Sequence, residues 1–153
     1  MHGASIRIKL FDSLSPSRHK VSLGVQIHQK HKILIADDDR DLVSVIKDRL
    51  EVEGYETIEA YEGIRTVEAA NKQHPDLILL DIRMPAGTGT SVLDTLRAKE
   101  PTKKIPVIVI SALHDPGLEQ RVMAQGAQSF LKKPFDSEKL LSLIRQFLGQ
   151  QTK

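Results

Sequence analysis

Leu77-Ile78-Leu79-Leu80-Asp81-Ile82-Arg83-Met84-Pro85 is the stretch on which the fold turns. Four apolar residues in unbroken succession run into one carboxylate, and a proline closes the stretch. With helical patterns on both sides, so short an apolar run reads as a strand buried on both faces of a parallel sheet. Its last residue, Asp81, then emerges at the carboxyl end of the sheet, where open α/β folds place their ligands. Ile33-Leu34-Ile35-Ala36 repeats the pattern and ends in Asp37-Asp38-Asp39.

Working outward, strands and helices alternate. After the first strand a helix is expected over residues 40–53, with Leu42, Ile46 and Leu50 on one face and Gly54 just past its end. Residues 55–60 suit a second strand, and residues 62–73 a helix that turns Ile64, Val67 and Ala70 inward until Pro75 stops it. A third helix is expected at 90–99, a fourth strand at 105–111 with Pro106 near its start, and a fourth helix at 117–125. A short fifth strand at 129–132 precedes a last helix at 137–149, for which Ser137 is the expected N-cap. Strands alternating with helices across short loops predict an α/β domain, a doubly wound five-stranded parallel sheet of (βα)5, flavodoxin-like form. The common strand order for such a sheet is 2-1-3-4-5, which sets the acidic turn after strand one beside Asp81.

The chain has 153 residues, enough for one domain with a sizeable core, and its 40% hydrophobic and 27% charged content is that of a globular protein. No cysteine is present, which excludes disulfides, thiolate metal sites and a cysteine nucleophile. No apolar run approaches the roughly 20 residues of a membrane span. Charge is uneven: residues 1–32 hold six Lys or Arg against the single acid Asp12, and the remainder holds 16 bases against 19 acids. A mildly acidic domain thus carries a basic arm, which is commonly a solvated tail but suits nucleic acid, an acidic partner or a membrane surface. Within the arm, Ile6-Arg7-Ile8-Lys9-Leu10-Phe11 alternates like a short strand. The segment is basic, serine-containing and poor in acids, so residues 1–31 are expected to be a flexible or leader extension, residues 32–149 the folded domain, and 150–153 a tail. His28 and His31 stand at helical metal-ligand spacing but lack a third ligand nearby.

Carboxylates gathered at one sheet edge repel each other unless one stays protonated or a cation joins them. Oxygen-only ligands select Mg²⁺, with Mn²⁺ possible, over zinc. Magnesium takes one or two carboxylates plus phosphate oxygens, so such a site is half-built for a phosphoryl group. Lys133, after the fifth strand, suits a phosphate oxygen, and Ser111, ending the fourth, offers a hydroxyl donor. Asp81 is the central nucleophile, able to form an aspartyl phosphate. Each residue alone has a plain structural reading: a strand-ending Asp caps helices, a Lys before Pro is usually solvated, and a Ser caps turns. Their joint placement at the carboxyl ends of separate strands is what carries weight.

Residues 33–39, 80–89, 107–112 and 130–135 resemble the four signature segments of the response-regulator receiver domain, a likeness covering about residues 32–149. The resemblance implies that Asp81 is the phosphoacceptor, that Asp37 and Asp38 hold Mg²⁺ with Asp81 and the backbone carbonyl of Arg83, and that Lys133 and Ser111 sense the phosphoryl group. It also implies a switch aromatic at Phe130 and a cis peptide bond between Lys133 and Pro134. Asp39 falls one place beyond the usual acidic pair and is expected to face the first helix. Two departures are visible: Thr88 replaces an aspartate common before Gly89, and Ser111 stands where threonine is commoner. With no DNA-binding domain in the sequence, the resemblance is to a stand-alone, cytoplasmic, single-domain regulator. Its partners would be a sensor histidine kinase or histidine phosphotransfer protein and a downstream target protein. It would be a signalling switch that catalyses only its own phosphorylation and dephosphorylation.

Rival readings are weaker. An aspartyl-nucleophile phosphatase or mutase needs a second Asp two residues after the first, and Arg83 stands there. A dinucleotide site needs G-x-G-x-x-G after strand one, where Asp37-Asp38-Asp39 lies instead. The remaining alternative is a receiver fold used as an interaction module without phosphorylation.

Overall fold

The computed structural model describes residues 4–8, 25–84 and 89–149, and the chain divides into two compact units, residues 1–31 and 32–153. In the first unit β1 (Ala4–Ile8) pairs antiparallel with β2 (Val25–Gln29). β1 takes in the first half of the alternating stretch singled out in the sequence. β2 carries too few apolar residues to be read as a strand alone. Residues 1–3 and 9–24 of the arm, and the tail after Gly149, lie outside the described residues.

The second unit runs β3 (Lys32–Ala36), α1 (Arg40–Val52), β4 (Glu56–Ala60), α2 (Gly63–Gln73), β5 (Leu77–Asp81), α3 (Gly89–Ala98), β6 (Val107–Ser111), α4 (Leu118–Ala124), β7 (Ser129–Lys132) and α5 (Ser137–Phe147). Its five strands are parallel in the order β4-β3-β5-β6-β7, which is the expected 2-1-3-4-5. β5 is central and every one of its residues is buried, as its unbroken apolar run requires. Successive side chains alternate between the two sheet faces. Ile78 and Leu80 join Leu34 and Val109 in one core, closed by Leu93 and Leu96 of α3 and Val122 of α4. Leu77 and Leu79 join Ile33 and Ile108 in the other core, closed by Ile46 and Leu50 of α1 and Leu141 and Ile144 of α5. Each such side chain, removed from water, contributes about 1.5–3 kcal/mol.

Helix ends explain how the chain turns back to the sheet. α1 ends with Gly54 at φ +96°, and the N–H groups of Gly54 and Tyr55 donate to the carbonyls of Glu51 and Leu50. α4 ends the same way at Gly126, φ +108°, with Ala127 N–H donating to Val122. There the Arg97 guanidinium donates to the Gly126 carbonyl (3.0 Å), the Lys103 carbonyl (3.1 Å) and Gln128 Oε1 (2.9 Å), tying α3 to the turn before β7. A Cβ on Gly126 would meet Arg97 Nε at 2.9 Å. Gly126→Ala is therefore expected to cost about 2 kcal/mol, from left-handed backbone strain and a displaced Arg97. A shift of the urea midpoint with an unchanged slope checks it, and parental stability would show that the turn relaxes freely.

Three local expectations are corrected. α5 is capped by Asp136, whose side chain accepts from Glu138 N–H, because Asp136 sits one residue before the helix and Ser137 is already inside it. In α2, Ile64 is 59% exposed, since a helix beginning at Gly63 turns Gly63, Thr66 and Ala70 to the sheet. Thr66 pairs its hydroxyl with the Glu62 carbonyl at 2.8 Å, which lets it be buried. Finally, β4 and β6 start later than expected, at Glu56 and Val107.

Candidate functional site

Three strand ends meet at the carboxyl edge of the sheet. β3 hands over to Asp37, which is 4% exposed, and β5 ends in Asp81, 5% exposed. Asp38, next along the chain from Asp37, is exposed. Oxygens of Asp37, Asp38 and Asp81 lie within 4.8 Å of one another. Ligands roughly 2.1 Å from one octahedral magnesium ion stand at most about 4.2 Å apart. The grouping is close to that spacing, and the donor set, oxygen alone, fits that ion.

Local bonds fix the cluster. Asp37 Oδ1 accepts from Asp39 N–H (2.9 Å), and Asp37 Oδ2 accepts from Lys133 Nζ (2.7 Å). Lys133 Nζ also lies 3.7 Å from Asp81 Oδ2, bridging the two buried carboxylates. Lys133 reaches them from the loop after β7, where its bond to Pro134 is cis, as the resemblance implied. Asp81 Oδ1 accepts from Arg83 N–H at 3.2 Å. Ile82 and Met84 are buried on either side of exposed Arg83, so the turn after Asp81 is pinned by its own apolar residues. Asp39 caps α1, accepting from Leu42 N–H at 3.1 Å, as its offset from the acidic pair suggested. Residues 85–88, including Thr88, lie outside the described residues.

The electrostatic result is a carboxylate under tension. Burial and the neighbouring Asp37 charge push the Asp81 carboxyl up to about 6, against the opposing pull of Arg83 N–H and Lys133. A divalent cation, or a phosphoryl group with its cation, relieves that repulsion. The cleft above has a volume of about 310 Å³ and is lined by Asp37, Asp38, Asp39, Asp81, Arg83, Ala112 and Lys133.

Ser111 ends β6 and is not among the residues that line this cleft. It is fully buried, and its Oγ accepts from Leu113 N–H at 3.0 Å. Ala112, which was not singled out in the sequence, lines the cleft instead, and only its small size beside Ser111 hinted at a close approach. Phe130, on edge strand β7, is half-buried against the Leu34 core. It also lines a second hollow of about 300 Å³ with Leu113, His114 and Lys132.

The family model described as Response regulator receiver domain matches residues 33–145. The sequence is 32% identical over 117 residues to the polar-differentiation response regulator DivK of Brucella ovis, covering 76% of this chain and 95% of that protein. Among solved structures, the receiver domain of the Francisella response regulator 1452 superposes with a TM-score of 0.73 at 30% identity, over 78% of this chain and 98% of its own. The receiver domain of the Pseudomonas aeruginosa sensor histidine kinase PA1611, whose structure has a magnesium ion in the active site cleft, gives a TM-score of 0.73 at 29% identity, over 79% and 99%.

Proposed function

The chain belongs to the response regulator receiver family, and from that membership we propose that it takes a phosphoryl group onto Asp81 and signals through the face formed by α4, β7 and α5. The donor is a sensor histidine kinase or a histidine phosphotransfer protein, the setting cytoplasmic, and the output a downstream target protein. One observation carries the assignment: a buried, strand-ending Asp81 crowded by Asp37 and Asp38, with the Lys133 ammonium reaching in.

Asp37, Asp38 and Asp81, with the Arg83 carbonyl, are the groups that would hold Mg²⁺, with Mn²⁺ as substitute. The ion supplies positive charge beside the transferring phosphoryl group. An Asp81 carboxylate oxygen forms the new P–O bond in line with the breaking P–N bond of the donor phosphohistidine, and the imidazole leaves with the electron pair. Lys133 faces the phosphoryl oxygens and offsets part of their charge. Afterwards Ser111, whose Oγ accepts from Leu113 N–H, donates its own O–H to another of them.

With Mg²⁺ and a small acyl phosphate donor, the protein is expected to gain one base- and hydroxylamine-labile phosphoryl group, and to gain none when the metal is chelated. Absence of labelling under both conditions, with the fold intact, would favour an interaction module that works without phosphorylation. That module leaves the buried carboxylate cluster without a role.

A further inference from the structure

Only the backbone of Arg83 is engaged at the site, its N–H donating to Asp81 Oδ1 at 3.2 Å. Ile82 and Met84 on either side are buried, while Arg83 is exposed and lines the cleft. Among the described residues its side chain makes no hydrogen bond and pairs with no carboxylate. The acids beside it have other partners. Asp37 accepts from Asp39 N–H and from Lys133, and Asp39 caps α1.

Charge gives the unpaired guanidinium a purpose. The cleft is lined by Asp37, Asp38, Asp39 and Asp81 against two cations, Lys133 and Arg83. Lys133 is committed to the floor, with Nζ 2.7 Å from Asp37 Oδ2 and 3.7 Å from Asp81 Oδ2. A phosphoryl donor is itself anionic, so it enters this acidic cleft against repulsion. A guanidinium presents its N–H groups as a planar fork that matches phosphate oxygens, which a single ammonium does not. The Arg83 Cα is one bond from the N–H that holds Asp81, so a side chain of this length reaches a phosphoryl group set against that carboxylate.

We propose that the Arg83 guanidinium is a second phosphate-binding group, which draws the donor's phosphoryl oxygens toward Asp81 from the open side of the cleft. The inference rests on phosphorylation at Asp81. The same positive charge acts in the opposite sense on a divalent cation, since both would share one cleft.

Labelling by limiting acetyl phosphate at saturating Mg²⁺ should be about tenfold slower in Arg83→Gln, and slower again in Arg83→Glu. Arg83→Lys should recover part of the rate. Added salt should slow the parent more than Arg83→Gln. With no donor present, calorimetric titration should show Mg²⁺ bound roughly threefold more tightly by Arg83→Gln than by the parent. Those opposite signs separate a charge at the mouth of the cleft from damage to the turn, which would weaken metal binding and labelling together. Equal labelling of parent and Arg83→Gln at limiting donor, or a joint loss of labelling and Mg²⁺ affinity, would overturn the proposal while leaving Asp81 as the phosphorylated residue. A parent that takes no phosphoryl group at all would remove the reading beneath the proposal, and the proposal with it.

Discussion

Asp81→Asn is expected to abolish phosphoryl incorporation and, in metal-free buffer above neutral pH, to stabilise the fold by about 2 kcal/mol. The first effect follows from removing the nucleophilic oxygen. The second follows from crowding at the site. Burial and Asp37 raise the Asp81 carboxyl from 3.8 to about 6, so the folded protein holds this proton more tightly than the unfolded chain does. Stability linked to the group is then whole below about pH 4 and is lost as pH rises through about 6. A shift of about two units corresponds to about 3 kcal/mol, of which screening by solvent in the open cleft leaves about 2. Asparagine keeps the shape without the charge and escapes the loss. The gain should shrink toward zero near pH 4, and Mg²⁺ should narrow it above pH 7 by stabilising the parent more than the variant, which lacks one of the carboxylates. Urea unfolding of both proteins across that range, with and without magnesium, checks the sign. A destabilised Asp81→Asn at neutral pH in chelator would mean that Lys133 outweighs the repulsion, and the electrostatic reading of the site would fall.

The fold was legible because both of its main signals are local. β5 and β3 are apolar runs long enough for a strand and too short for a helix, and each runs into carboxylate. Gly54 stood where the left-handed cap of α1 is found. Asp37, Asp38, Asp81 and Lys133 follow from strand ends in a parallel sheet, so their gathering needed only the strand order. What stayed hidden depends on contacts distant in sequence. Nothing near Arg97 announces that it reaches Gly126 and Gln128 across 29 and 31 residues. Ile64 looked inward because its apolar character was weighed without the phase of α2. β2, with Gln and His between its apolar residues, becomes a strand only through its pairing with β1. Ser111 was placed correctly at a strand end, yet its oxygen also accepts from a backbone N–H two residues on, which no spacing rule specifies.

That contact between Ser111 Oγ and Leu113 N–H gives the switch its testable form. In this structure Ser111 Oγ satisfies Leu113 N–H, and Phe130 remains half-buried beside Leu113. A phosphoryl group on Asp81 offers the hydroxyl a charged acceptor, and hydrogen bonds to charged groups exceed neutral ones by about 1 kcal/mol or more. If the Ser111 side chain rotates to aim its O–H at that acceptor and carries Oγ away from Leu113 N–H, the segment 111–113 moves, opening space for Phe130 to swing inward. Activation need only favour this arrangement by a few kcal/mol to reverse the populations. With beryllofluoride as the phosphoryl mimic, the parent should show faster hydrogen exchange at the Leu113 amide and a changed environment for the Phe130 ring by NMR. Ser111→Ala should still bind beryllofluoride, show a fast-exchanging Leu113 amide from the outset, and lose most of the Phe130 response. Ser111→Thr, which keeps the hydroxyl, should restore that response. A full Phe130 response in Ser111→Ala would show that the coupling runs through another group at the cleft, with Lys133 the first to test because it already touches both buried carboxylates.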